Sequence, residues 1–228
     1  MDAIQIGRRL GAVHARIEAA ASRAGRDPRS VRLVAASKTH PAPAIRAAYA
    51  AGARDFGENY VQEAMAKRAD LLDLKDLRWH LIGHLQTNKA KIATGAFDLI
   101  QSLDSIRLAD ALAKARPDPP IAVLIEVNLG AETSKTGVPS DEVEALISAV
   151  RAKVEVCGLM AIPPPASDPE HRRTCFIQLR ELRDRLAAAT GLALCDLSMG
   201  MTDDFEIAIE EGATIVRVGR AIFGERPR

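Results

Sequence analysis

A single lysine closes the apolar run VRLVAASKT at residues 31–39, and Lys38 is the residue of this chain best placed to do chemistry. Side chains alternate along a strand, so Val34, Ala36 and Lys38 share one face while Leu33 and Ala35 share the other. An amine that emerges over small apolar residues at the end of a buried strand loses part of its hydration. Its pKa then falls and its lone pair becomes available to attack a carbonyl. Those are the requirements of a lysine that forms a Schiff base. Most lysines are solvated surface groups, so the reading needs complementary residues elsewhere.

Two segments near the end of the chain supply them, SMGMTDDFE at 198–206 and RVGRAIFGE at 217–225. Ser198 and Thr202 offer hydroxyl donors, and Gly200 and Gly219 would let backbone amides approach an anion closely. Thr202 also stands where a helix should begin, so a cap and a ligand role are both open to it. Arg217 sits between Val216 and Val218, and a charge inside a strand of a barrel is costly unless something pairs with it. A salt bridge to Glu126 or Asp196 would serve, but the neighbours Gly219 and Arg220 favour a ligand. No metal is expected. Cys157, Cys175 and Cys195 lie far apart with no CxxC pair, and His80 and His84 fall on an extended segment and its loop, not one turn apart on a helix.

The elements that must position these residues alternate. Ile6, Leu10, Val13 and Ile17 recur at helical spacing between Asp2 and Ala24, and Gly25 followed by Asp27 and Pro28 supplies a stop. Strands are expected at 31–37, 54–57, 78–83, 98–101, 121–128, 154–160, 194–198 and 214–218. The run IAVLIEVN at 121–128 is the most strand-like and should be buried on both faces. Helices are expected from the prolines at 41 and 43 to Gly52, and over 60–72, 86–93, 105–115, 169–190 and 203–211, and the proline cluster at 163–165 reads as a loop. Eight such units over 228 residues predict an α/β fold, a (β/α)8 TIM barrel in one domain spanning 1–228, with the first helix as an extra cover. An open doubly wound sheet fits less well, because no GxGxxG follows the first strand. In such a barrel the site is built at the C-terminal ends of the strands, with an anion held by the loops after the last two.

Composition narrows the partners. Thirty-one basic residues against 30 acidic ones give a formal charge of +1, and aromatic residues make up 4%, so nucleic acid is a poor fit. No run approaches the ~18 apolar residues that would span a bilayer. The segment MDAIQIGRRLGAVHARIEAA mixes charged and apolar residues, unlike a secretion signal, so a cytoplasmic location is expected.

Seven segments together carry a family resemblance. SKT at 37–39, FGENYVQE at 56–63, WHLIGHLQTNK at 79–89, VNLGAETSKTGV at 127–138, GLMAIP at 158–163, LSMGMTDDFE at 197–206 and VRVGRAIFGE at 216–225 closely resemble the pyridoxal-phosphate homeostasis protein family, itself similar to the N-terminal barrel of alanine racemase. The resemblance implies that Lys38 holds pyridoxal 5'-phosphate (PLP) as a Schiff base. It further implies that Ser198, Thr202 and the amides near Gly219 and Arg220 hold the phosphate, that Arg217 faces the pyridine nitrogen, and that Asn59 lies near the cofactor. His80 falls in a matching motif, where a pocket and a core position are both open. In the racemase a second acid/base group, a tyrosine, comes from a further β-domain that also joins the subunits. No such domain is expected here, so the chain should be a monomer. Its only tyrosines are Tyr49 and Tyr60, of which Tyr60 could approach the site.

Three functions follow from these residues. The leading one is a protein that holds and delivers PLP, with transient apo PLP-dependent enzymes as partners, no strong turnover of its own, and an indirect influence on amino-acid and keto-acid pools. The second is a PLP-dependent racemase or related enzyme. The third is a Schiff-base aldolase in which Lys38 attacks a sugar phosphate without PLP.

Overall fold

The computed structural model describes residues 2–116, 118–130, 136–164 and 168–225. Eight parallel strands form a closed barrel: β1 (Arg32–Ala36), β2 (Asp55–Glu58), β3 (Arg78–Leu81), β4 (Leu99–Leu103), β5 (Ala122–Asn128), β6 (Glu155–Ala161), β7 (Asp196–Ser198) and β8 (Ile215–Val218). Each strand pairs with the next, and β8 returns to β1 in the register Val34↔Arg217. The expected TIM barrel is therefore present, with the extra N-terminal helix.

That helix, α1 (Ala3–Arg23), begins where the Asp2 carboxylate accepts from the Ile4 amide. Its buried stripe of Ile6, Leu10, Val13 and Ile17 packs across α2 (Ala42–Ala50), α8 (Phe205–Glu210) and α9 (Arg220–Phe223). Arg16 and Arg23 tie α1 to Glu206 and Glu210 of α8. The other helices are α3 (Val61–Ala69), α4 (Ala90–Ala96), α5 (Ile106–Ala115), α6 (Val143–Val150) and α7 (Pro169–Thr190). The last begins under an Asp168 cap and stops at Gly191, which is left-handed at φ 71°.

Strand parity divides the core. On β5, Val123, Ile125 and Val127 join the large layer between strands and helices, while Leu124 faces inward with Val34, Leu99, Met160 and Ile215. The interior also holds the buried polar side chains of Asp55, His80, Gln101, Ser198 and Arg217, which lead to the site.

Several boundaries differ from expectation. The segment expected as a helix from Gln86 opens as a 3-10 turn at Thr87–Lys89 before α4. The strand expected from Leu194 starts two residues later, because Leu194 adopts φ 39° and interrupts the extended chain. Helices α6 and α9 and the two-residue strand Val138–Pro139, which pairs with the end of β5, are additions. Residues 131–135 of the VNLGAETSKTGV segment and Pro165 of the proline cluster lie outside the described residues. No helix among the described residues is long and apolar enough to cross a membrane.

Strands β6 and β7 pack closely at Gly158. A Cβ at Gly158 would lie 1.9 Å from the Asp196 carbonyl oxygen on the neighbouring strand. Gly158→Ala is expected to cost about 2 kcal/mol through the forced separation of β6 and β7. Gly11→Ala in α1, where nothing lies within 4 Å, should instead be neutral or stabilising. Thermal unfolding of the two variants checks the contrast.

Candidate functional site

A cavity of about 840 Å³ opens at the C-terminal mouth of the barrel, where the loops after the strands converge. Lys38 enters it from the loop after β1 and Asn59 from the loop after β2. Glu126 comes from β5, Thr202 from the loop after β7, Arg217 from β8, and Gly219 and Arg220 from the turn into α9. Six of the seven residues expected at the site thus line one pocket. Ser198 does not.

The loop that carries Lys38 is braced from beneath by charges the sequence reading did not single out. Lys67 of α3, almost wholly buried, donates to both carboxylate oxygens of Glu58 at 2.7 and 2.9 Å and to the Ser37 carbonyl at 2.8 Å. It also pairs with Glu63 at 2.7 Å. The Ser37 hydroxyl donates to Glu58 at 2.5 Å, and the Thr39 amide donates to Glu63 at 2.6 Å. Thr39 is held at φ 66°, a left-handed conformation that costs a threonine about 1 kcal/mol or more. Both residues flanking Lys38 are therefore fixed by one ion cluster. Burial pushes the Glu58 carboxyl above its usual range despite the hydrogen bonds from Lys67 and Ser37. A signal was present in the sequence: Glu63 and Lys67 stand four apart on one helical face.

Arg217 is only 4% exposed and reaches the pocket from inside the barrel. It donates to the Ser198 hydroxyl at 2.5 Å and to the Ala161 carbonyl at 2.9 Å, and not to Glu126 or Asp196. Those two acids are engaged elsewhere, Glu126 by Thr136 at 2.6 Å and Asp196 by Thr214 at 3.2 Å. Burial pulls the Arg217 pKa down to about 10, and the nearby Asp204 and Glu126 charges oppose the fall. The guanidinium thus remains a cation at neutral pH, almost wholly buried where it meets the pocket wall.

Ser198 explains its own absence from the pocket wall. Its hydroxyl accepts from Arg217 and donates to Gln101 Oε1 at 2.6 Å, so it acts on the arginine. His80 is likewise an interior residue, 2% exposed and bonded to Asp55 at 2.9 Å and Gln101 at 3.1 Å. Tyr60 is 65% exposed at the start of α3 and borders a separate cavity of about 310 Å³ with His84 and Lys89. Tyr49 bonds Asp76 on the outer surface. Neither tyrosine lines the main pocket.

The remaining wall is mixed in charge. Arg220 is about half exposed and is held by both carboxylate oxygens of Asp203. His84, also in the wall, lies 3.3 Å from Asp104. Burial raises the Glu126 carboxyl above its ordinary value, with the Thr136 hydroxyl bond working against that rise. The arrangement combines one amine on a braced loop, one buried guanidinium, and a rim of hydroxyl, glycine and arginine. That set suits a small anion carrying a carbonyl.

Comparison with known proteins follows the same direction. Residues 9–227 match the family described as alanine racemase, N-terminal domain. The "Pyridoxal phosphate homeostasis protein" of Pseudomonas aeruginosa is 47% identical over 225 residues, covering 97% of this chain and 96% of the relative. That of Aquifex aeolicus is 49% identical over 222 residues, covering 96% and 97%. PipY of Synechococcus elongatus, solved with PLP bound, superposes with a TM-score of 0.86 at 40% identity, covering 96% of this chain and 100% of PipY.

Proposed function

The chain belongs to the alanine racemase N-terminal domain family, and from that premise we propose that it binds PLP in the pocket at the C-terminal mouth and serves in the homeostasis of that cofactor. The observation that carries the proposal is the convergence of Lys38, Arg217 and the Thr202 to Arg220 rim on one cavity.

The residues present fit this occupant. Gly219 can pass against β1 only without a side chain, since a Cβ there would lie 2.9 Å from the Ala36 carbonyl. The turn into α9 lines the pocket together with Thr202 and would hold the phosphate. Arg220 adds a charge that Asp203 partly offsets. Lys38 would hold the aldehyde, and Asn59 lines the wall beside it. When bound, PLP supplies an aldehyde that a primary amine holds covalently and reversibly, and a conjugated ring that can withdraw electrons. Arg217 is assigned to the ring nitrogen. A guanidinium there opposes protonation of that nitrogen, because a second cation would be repelled. Ser198 contributes by fixing Arg217, a role that replaces the phosphate contact expected from the sequence.

The resulting protein is a holder and donor of PLP in the cytoplasm, acting as a one-domain monomer on transient apo-enzyme partners. What supports this over turnover is the position of the tyrosines: Tyr60 is turned to solvent and Tyr49 to the outer surface. A racemase needs a second acid/base group at the substrate carbon. One observation favours that second reading, the presence of the His84–Asp104 pair in the pocket wall. Mixing the PLP-loaded protein with an apo PLP enzyme should restore activity faster than an equal amount of free PLP does. No acceleration, together with rapid racemisation of single amino-acid enantiomers that is lost in His84→Ala, would replace the carrier reading with the enzyme.

A further inference from the structure

We propose that Asp55, His80 and Gln101 are positioning residues for the pocket, forming with Ser198 a one-way hydrogen-bond chain through the barrel that orients Arg217 from the opposite mouth. The chain is continuous. Asp55 Oδ1 meets His80 Nε2 at 2.9 Å, His80 Nδ1 meets Gln101 Nε2 at 3.1 Å, Gln101 Oε1 accepts from Ser198 Oγ at 2.6 Å, and Ser198 Oγ accepts from Arg217 at 2.5 Å.

Its direction is forced by its two ends. An ionised carboxylate can only accept, and a guanidinium can only donate. With the His80 imidazole neutral, its one proton lies on Nε2 toward Asp55 and Nδ1 is left to accept from Gln101. Gln101 must then turn its amide nitrogen to His80 and its oxygen to Ser198. The Ser198 proton goes to Gln101, which leaves the Ser198 oxygen free to accept from Arg217. Reversing any one link would set two donors or two acceptors against each other. Burial makes the constraint costly to break, since His80 is 2% exposed and Gln101 and Ser198 are fully buried.

Asp55 and Arg78 open β2 and β3 at the N-terminal mouth, where Arg78 pairs with Asp55 at 2.6 Å and Arg32 lies 3.9 Å away. Burial alone would raise the Asp55 carboxyl, but hydrogen bonds from His80 and Arg78 outweigh it and hold it below its ordinary value. The acceptor end of the chain thus stays ionised. Hydrocarbon would have filled this space more cheaply, as Val34, Leu99, Leu124, Met160 and Ile215 do elsewhere in the interior. The polar chain is spent on one outcome, the direction in which a buried cation is held at the pocket.

The inference rests on the PLP reading for its consequence but not for its geometry, so the test has two arms. In the protein without PLP, nitrogen NMR should report His80 as the Nε2–H tautomer. Gln101→Leu and Asp55→Asn should make the side-chain protons of Arg217 exchange at least ~10-fold faster. In the PLP-loaded protein the same variants should weaken retention by about 10-fold and shift the visible band, while borohydride still fixes the label on Lys38. A purely structural role would lower the thermal midpoint and leave Arg217 exchange, His80 tautomer and the bound spectrum unchanged, and that result would overturn the proposal. Ser198→Ala, a smaller change, provides the same readouts if Gln101→Leu fails to fold. Failure of the wild-type protein to bind PLP would sink the functional reading alone, because the first arm needs no cofactor.

Discussion

Lys38→Ala is expected to abolish the visible absorbance of the PLP-loaded protein and to weaken PLP binding by at least ~100-fold, about 2.8 kcal/mol. The wild-type amine would hold the aldehyde covalently, and no other lysine among the described residues lines the main pocket. What remains in the variant is the non-covalent set of Arg217, Thr202 and the Gly219 turn, so residual binding should persist and should still fall with competing phosphate. Folding should be unaffected, because Lys38 is a half-buried loop residue whose neighbours Ser37 and Thr39 are fixed by Lys67 and Glu63. Equilibrium titration followed by absorbance and fluorescence checks both parts. Retention of the visible band would show that a different amine carries the cofactor.

The largest effect on stability is expected from Lys67→Met. The substitution keeps most of the volume but removes the ammonium that neutralises Glu58, a carboxylate with no exposure to solvent. Breaking a buried pair by removing one partner costs about 3–5 kcal/mol, because the remaining charge is left uncompensated. For a chain of this size the thermal midpoint should fall by roughly 6–20 °C. The double variant Lys67→Met with Glu58→Gln should recover much of the loss, since neutralising both partners removes the stranded charge. PLP retention should also drop in the single variant, as the Ser37 carbonyl loses the donor that fixes the start of the Lys38 loop. A shift of less than ~2 °C would mean that Glu58 is protonated in the native protein and that the cluster holds the loop without ionic help.

Much of this was legible in the chain itself, and the reasons differ by element. Period-two alternation placed Val34, Ala36 and Lys38 on one face of β1, and the structure puts Lys38 in the pocket wall at the end of that face. The bounds of α7 were readable because Asp168 and Gly191 are strong start and stop signals. Helix α6 was missed although Val143, Leu146, Ile147 and Val150 carry helical spacing. Its two turns are too short to stand out between a long strand and the next. Helix α9 has four residues, fewer than any periodic pattern requires.

The interior chain was hidden for a different reason. Asp55, His80, Gln101 and Ser198 lie on four strands spread over most of the sequence, and their contacts follow from barrel closure and stagger, which no local spacing encodes. Parity alone could place Ser198 inside the barrel. Only the positions of Gln101 and Arg217 show that its hydroxyl is already committed.

Whether Lys38 is the amine that takes PLP is decided by where the reduced cofactor is found. The PLP-loaded wild-type protein is reduced with borohydride, digested, and mapped by mass spectrometry. A single pyridoxyl adduct on Lys38 is expected, with the visible band lost in proportion. An adduct on Lys89 or another surface lysine, or no adduct on a protein that PLP fails to colour, would contradict it.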